Sequence, residues 1–562
     1  MKKMLERKNN NIVFLKLFLL VTPFIIGGYH MWISALLSLV LFGYIVVIIL
    51  KSKEKINIEV DVSLLSLILI PASYLVVSLW AIDSSTAVYG FIKFLPLVPF
   101  AILISQLNTK EKNELLDTVP VSAIAMGTIS YGLSFISELS DYFLVASRLG
   151  GFFQYPNTFA AYCLAGLAIL LFKEKLTYKE WIMSALLVGI VFLTGSRTSF
   201  VFLIIVCAIL FFRISYKNKL RLVALIGGAI ALSLVIVALT GNIQTVGRYL
   251  TISLESSTLL GRLLYYKDAI PVILKNPFGL GYYGYYFSQT SFQTGVYSTA
   301  FVHNEFLQLL LDIGWIPSIL FFFVLGKSFL SKKINSVQKT VMFIILGHSF
   351  FDFDLQFLSI FLILILTLDF DNRKLVSFKS GKFIHIAVSS ALVAVSLFFG
   401  IINGLFLLGN YETVEKIYGK DTQSQIFLMQ DSTSYDDIAS YSESILSRNE
   451  YIAIAYDAKA NEAYKEGNIK AVIDYKDKAI AVAPYKISEY NDYCEKLINI
   501  TSLYIKNGDY DSAEYCIEKL VDVQRKIDET KQKTSSLAWK IKDKPELELD
   551  EKYQDYIKEA LK

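Results

Sequence analysis

Apolar residues form long, nearly unbroken runs between positions 12 and 408, and beyond that point they recur only at helical spacing. A membrane-crossing helix needs roughly 20 mostly apolar residues, because the hydrocarbon core is about 30 Å thick. Thirteen segments meet this demand: 12–29, 31–50, 62–81, 87–106, 119–138, 157–173, 181–195, 198–213, 220–240, 305–326, 337–351, 355–370 and 383–408. The seventh and eighth are short and nearly fused at 195–198, and Gly347 and His348 interrupt the eleventh. The expected fold is therefore all-α and polytopic. It has 12–13 transmembrane helices in residues 1–408, a large loop at 241–303, and a soluble helical domain over 409–562.

Charge gives this array an orientation. Lys and Arg of short loops stay on the cytoplasmic side. The start is basic, and so is every second connection: 51–55, 110–112, 173–179, 213–221, 327–339 and 373–382. The alternate connections, 27–30, 81–85, 137–157, 195–198, 240–303 and 351–354, are poor in Lys. The expected topology places the N-terminus inside and the C-terminal domain outside the cytoplasmic membrane. The first apolar run lacks a small-residue cleavage site, so no cleaved signal peptide is expected.

Composition agrees. Hydrophobic residues make up 54% of the chain and charged residues 19%, with a mean hydropathy of +0.49, whereas a soluble domain is nearer a quarter charged. Four Cys without a CxxC pair exclude a disulfide scaffold and a zinc finger. The net charge of +4 conceals an acidic tail: residues 411–562 hold 22 Lys+Arg against 30 Asp+Glu. Nothing here points to a nucleic-acid partner.

In the tail, 467–479 and 508–520 each place a Gly turn before a helix with small and aromatic packing positions. Both resemble the second half of a tetratricopeptide repeat, although their glycines lie 41 residues apart rather than about 34. Stacked helix pairs form concave surfaces that hold partners; a helical cap over the membrane domain is the alternative. Cys494 and Cys516 fall on successive tail helices, and spacing alone leaves a disulfide between them open. Cys163 and Cys207 read as small core residues.

Charge placed at a membrane is costly, and marks function by default. Arg197 lies in the turn between two apolar runs, beside Gly195, Ser196, Thr198 and Ser199. A guanidinium there offers a fork of donors matched to phosphate. Arg148 precedes two glycines that permit close approach to a ligand, then Pro156 and Asn157; Arg148 and Asn157, like Asn304 further on, are candidates to bind substrate, and Asn157 is also placed to cap the next helix. The long outer loop carries Arg262 at the expected start of an amphipathic helix, where a helix N-terminus also favours an anion. Tyr282 and Tyr283 follow; such rings suit either an interface or a sugar. His303 and Asn304 close the loop, and an imidazole at a membrane entrance can deprotonate a hydroxyl. His348, Asp352 and Asp354 form a second cluster, fit either to orient a base or bind a substrate hydroxyl, or to bond helix to helix. His30 and His385 read as incidental.

The turn at 195–199, Arg262 within a long outer loop, His303-Asn304 followed by Leu307, Gln308 and Gly314, and His348 with Asp352 together resemble the O-antigen ligase/polymerase superfamily. The resemblance spans roughly residues 90–370. It implies a glycosyltransferase of the C-type architecture that takes an undecaprenyl-diphosphate glycan at the outer face of the membrane and inverts the anomeric carbon. Such enzymes build cell-surface polysaccharide. It implies no nucleotide sugar, no metal and no cofactor. Arg197 and Arg262 would grip the diphosphate, and His303 would activate or position the acceptor hydroxyl of a glycan, lipid or protein. The acidic tail lies beyond the family core and is a candidate surface for a protein partner. A polyprenyl-glycan transporter or flippase is the alternative. It should hold its charges near the bilayer midplane, whereas here they gather at the outer helix ends.

Overall fold

The computed structural model describes residues 2–51, 56–173, 176–240, 247–249, 253, 255–370, 374–378 and 381–560. Parts of three basic connections (52–55, 174–175, 371–373 and 379–380) and of the outer loop (241–246, 250–252 and 254) lie outside the described residues.

Helix dominates, and each of the thirteen apolar segments is largely helical. Among the described residues, three helices are long and apolar enough to cross a membrane: Met31–Lys51, Ser84–Ser105 and Lys382–Leu407. Other segments are shorter or broken. The run expected as one helix over 305–326 is two, Glu305–Ile313 and Trp315–Leu330. Gly314 between them has φ +78° and ψ −174°, an extended positive-φ conformation that interrupts the helix and is open essentially to glycine alone. The all-α expectation also misses two short antiparallel pairs. Ile56–Val60 pairs with Lys374–Phe378, and Leu144–Val145 pairs with Arg148–Leu149.

The chain divides into two compact units. The first comprises Met1–Leu75, Tyr89–Ser253 and His303–Gly404. Within it, basic connections meet basic connections. Lys112 Nζ donates to the Leu368 carbonyl at 2.8 Å, Lys173 pairs with Asp117 at 2.8 Å, and Ser331 donates to Asp369 at 2.6 Å. The strand pair of 56–60 and 374–378 lies at this end too. Three helices that begin here carry capping boxes, Asn108 with Glu111, Thr177 with Glu180, and Asn335 with Gln338, each satisfying N–H groups that a helix start leaves unpaired. Of the Lys-poor connections, 137–157, 195–198 and 351–354 meet one another and Arg248 and His303 through the residues of the site below.

The second unit comprises Val76–Val88, Leu254–Val302 and Leu405–Lys562. Its tail includes two helical hairpins, Ala453–Lys465 with Ile469–Val482 and Ile487–Lys506 with Tyr510–Lys533. They turn at Gly467 and Gly508, and Asn468 and Asp509 cap the second helix of each. Cys494 and Cys516 are free thiols buried in one core with Leu497, Leu520 and Val523. The outer-loop stretch 254–302 belongs to this unit. Phe287 packs with Met429, Ile445 and Ile452, the Ile82 N–H donates to the Leu280 carbonyl at 3.0 Å, and Asn449 Nδ2 donates to Asp83 at 3.1 Å. Helical periodicity is a local signal and carries no information about this grouping.

Candidate functional site

Three arginines converge on one glycine turn of the first unit. Ala146 and Ser147, with φ +50° and +61°, make the two-residue turn between Leu144–Val145 and Arg148–Leu149. Positive φ at both turn positions matches the twist of a hairpin, yet costs non-glycine residues about 1 kcal/mol each. That strained turn delivers Arg148. Its Nε donates to the Thr194 carbonyl at 2.9 Å and its Nη2 to Asn157 Oδ1 at 2.6 Å. Arg197 opens the helix Arg197–Arg213, whose first turn Ser196 caps by accepting from the Ser199 N–H. Arg197 Nε donates to the Arg248 carbonyl at 3.0 Å, and Arg248 Nε donates to the Gly195 carbonyl at 3.2 Å.

Gly195 itself has φ +60°, and a Cβ there would lie 3.4 Å from Arg148 Nε and 3.5 Å from Arg248 Cδ. Gly195→Ala is therefore expected to lower stability by about 1 kcal/mol through φ alone and to spread the two side chains. A thermal melt paired with a donor-affinity measurement checks both effects. Burial, and then the neighbouring Arg248, pull the Arg148 guanidinium down to about 10. Burial and Arg197 likewise lower Arg248. The guanidinium charges repel one another, and an anion placed among them relieves that repulsion.

Asn157 joins this cluster to the imidazole. Its Oδ1 accepts from Arg148, and its Nδ2 donates to Asp352 Oδ2 at 2.8 Å. Asn157 was expected to cap its helix. The helix starts at Pro156 without a side-chain cap, because the amide is committed to Arg148 and Asp352. Asp352 Oδ1 accepts from the Tyr155 hydroxyl at 2.8 Å and the Phe353 N–H at 3.1 Å, and lies 3.2 Å from His303 Nδ1. Asp352 is 1% exposed and His303 20%. His303 has φ +55°, another strained position of the kind that clusters at functional sites. Asn304 follows as a helix cap, accepting from the Phe306 and Leu307 N–H groups. Its side-chain oxygen is thus occupied as a cap.

His348 departs most from its expected substrate-binding role. The ring is fully buried. Its Nδ1 lies 2.6 Å from Asp354 Oδ2 and its Nε2 lies 3.1 Å from Ser199 Oγ. Asp354 also accepts from Thr158 Oγ1 at 2.7 Å. Both ring nitrogens of His348 are thus engaged, one with Asp354 and one with Ser199 in the turn that carries Arg197, which is the helix-to-helix reading of this cluster. The short loop around residues 351–354 serves both halves of the site, Asp352 through Asn157 and His303, Asp354 through His348 and Ser199.

Arg262, Tyr282 and Tyr283 belong to the second unit. Arg262 is 8% exposed on the helix Ser257–Lys275. That helix begins five residues before it, so the expected N-terminal anion site does not coincide with Arg262. Tyr282 is buried against Tyr283, with ring centroids 4.5 Å apart, and Tyr283 stacks on Phe301 at 5.8 Å. Arg248 and Tyr155 were not singled out from sequence. Arg248 carried the same signal as Arg197, a cation on the Lys-poor side of the chain, but no motif surrounds it.

A largely helical chain with long apolar helices thus carries a cluster of arginines joined to a carboxylate-held imidazole. Residues 182–322 match the family model described as O-antigen ligase. The match spans Arg197, Arg248, Arg262, Tyr282, Tyr283, His303 and Asn304 and supports the O-antigen ligase superfamily, with glycan transfer in polysaccharide biosynthesis as its activity. Arg148, Asn157, His348, Asp352 and the tail lie outside the matched residues. No curated protein and no solved structure matches the chain.

Proposed function

We propose that the protein transfers or polymerises a glycan from undecaprenyl diphosphate onto a hydroxyl acceptor at the outer face of the cytoplasmic membrane. One observation carries the reading: hydrogen bonds run unbroken from Thr194 through Arg148, Asn157 and Asp352 to His303. An anion cradle and a base are thereby built as one piece. In the reaction, His303 Nε2 takes the acceptor proton as the acceptor oxygen bonds to the anomeric carbon. The bond from that carbon to the diphosphate oxygen breaks on the opposite side, which inverts the centre. The charge left on the diphosphate is met by Arg148, Arg197 and Arg248, fixed dipoles and cations that need little reorganisation. Arg262 is a further candidate for donor contact.

The pairing of basic connections with one another, and of Lys-poor ones with one another, supports a thirteen-span topology with the N-terminus inside and the tail outside. The Gly-turned hairpins support the tetratricopeptide-like reading of the tail, with a protein or glycan partner. Tyr286, more exposed than Tyr282, is the better-placed ring for sugar contact.

The test is purified protein in liposomes with undecaprenyl-diphosphate oligosaccharide and no nucleotide, beside His303→Ala. A glycan ladder or a single transfer product, lost in the variant, is expected. Lipid movement between leaflets without a new glycan would establish a transporter instead. EDTA is expected to leave the rate unchanged; loss restored by magnesium would move the chemistry to the carboxylates, since magnesium takes oxygen ligands.

A further inference from the structure

We propose that residues 535–542 form a strap that positions the Arg262 helix, so that donor capture depends on the tail; this rests on the donor role of Arg262 above. Ser257 and Lys267 lie five residues to either side of Arg262, and the strap grips both. The Lys542 N–H donates to Ser257 Oγ at 2.8 Å, and Lys267 Nζ donates to Ser535 Oγ at 2.9 Å. The helix is thus clipped on both sides of the arginine.

A third contact is steric. Ala538 is fully buried, and a Cβ on Gly295 would come within 2.6 Å of its Cβ and 2.9 Å of Leu264. The strap and the helix therefore close on each other with no room for one more methyl group. The same loop is tied down beside it: the Ser535 N–H donates to the Thr294 carbonyl at 2.8 Å, while Asp268 accepts from the Thr294 N–H, the Thr294 hydroxyl and the Tyr297 hydroxyl.

The strap is itself anchored in the tail at both ends. Before it, the Thr534 hydroxyl lies 3.0 Å from the Tyr485 hydroxyl. After it, Leu547 and Leu549 enter the core that holds Cys494 and Leu497. Packed interiors transmit small displacements rather than absorbing them. A shift of the tail hairpins therefore reaches Arg262, and the tail acts as a positioning element for the reaction.

The test uses the full-length protein in liposomes. Ala538→Glu forces the strap off, and Gly295→Ala is the milder variant that crowds the same contact from the other side. Both are expected to speed amide hydrogen exchange across 257–275. Both should raise the donor KM about tenfold while kcat changes little, within the coupling range of residues in contact. In an Arg262→Lys background the same changes should raise the donor KM no further. Unchanged exchange across 257–275 overturns the strap. An equal rise in the Arg262→Lys background means a general structural loss and overturns the link to Arg262. If Arg262→Lys alone leaves the donor KM at the wild-type value, the donor reading of Arg262 fails and exchange alone decides the strap.

Discussion

Replacing Arg197 by alanine is expected to slow glycan transfer by about 10²–10³-fold, the cost of removing one fixed donor from developing negative charge. The structure gives reasons to expect a value near the top of that range. Arg197 opens a helix, so its guanidinium lies at the positive end of the helix dipole, where an anion is favoured. Its Nε also holds the Arg248 carbonyl, and Arg248 in turn holds Gly195, so its loss loosens a second cation. Arg197→Lys separates the two contributions. It keeps the charge but loses the planar fork, and it should recover only part of the rate. The measurement is transfer rate per inserted protein at saturating acceptor, with donor KM followed separately. Wild-type rates in both Arg197→Ala and Arg262→Ala would remove the diphosphate clamp from the mechanism.

Lys-rich and Lys-poor connections alternate along the chain, and that much is legible in charge. Lys is scarce in the alternate connections, so Arg148, Arg197 and Arg262 stood out there. What escaped has a common cause. The sequence shows which residue types are unusual, while their partners depend on tertiary packing. Asn157 looked like a helix cap, since Asn before an apolar run is a capping signal, but Arg148 and Asp352 claim its amide. His348 looked like a ligand contact, and burial between Asp354 and Ser199 makes it a brace. Arg248 had no motif, and its importance appears only where its side chain folds back on Gly195. The union of 254–302 with the tail depends on Asp268, Ser535 and Asn449, separated by most of the chain, and no periodicity announces it.

Asp352 carries the second large effect, because it serves the base and the clamp together. With Asp352 accepting from His303 Nδ1, the imidazole keeps Nε2 unprotonated and ready to take the acceptor proton. Asp352→Asn preserves size, yet its amide can donate to Nδ1 and leave the proton on Nε2. A wrong tautomer of this kind costs about 10⁴-fold in a carboxylate–histidine pair that works this way, and a kcat loss of about 10³–10⁴-fold is expected here with donor KM little changed. Asp352→Ala should differ. It also strips the acceptor from Asn157 Nδ2 and the Tyr155 hydroxyl, so Asn157 is free to turn and Arg148 loses its fixed partner. The alanine variant should therefore lose kcat and raise donor KM, and Asn157→Ala alone should reproduce the KM effect. Full kinetics of the three variants, with melting curves to confirm folding, resolve the two functions of this carboxylate. Asp352→Asn at nearly wild-type kcat would mean that the imidazole is not the base, and that His303 only positions the acceptor beside the arginines.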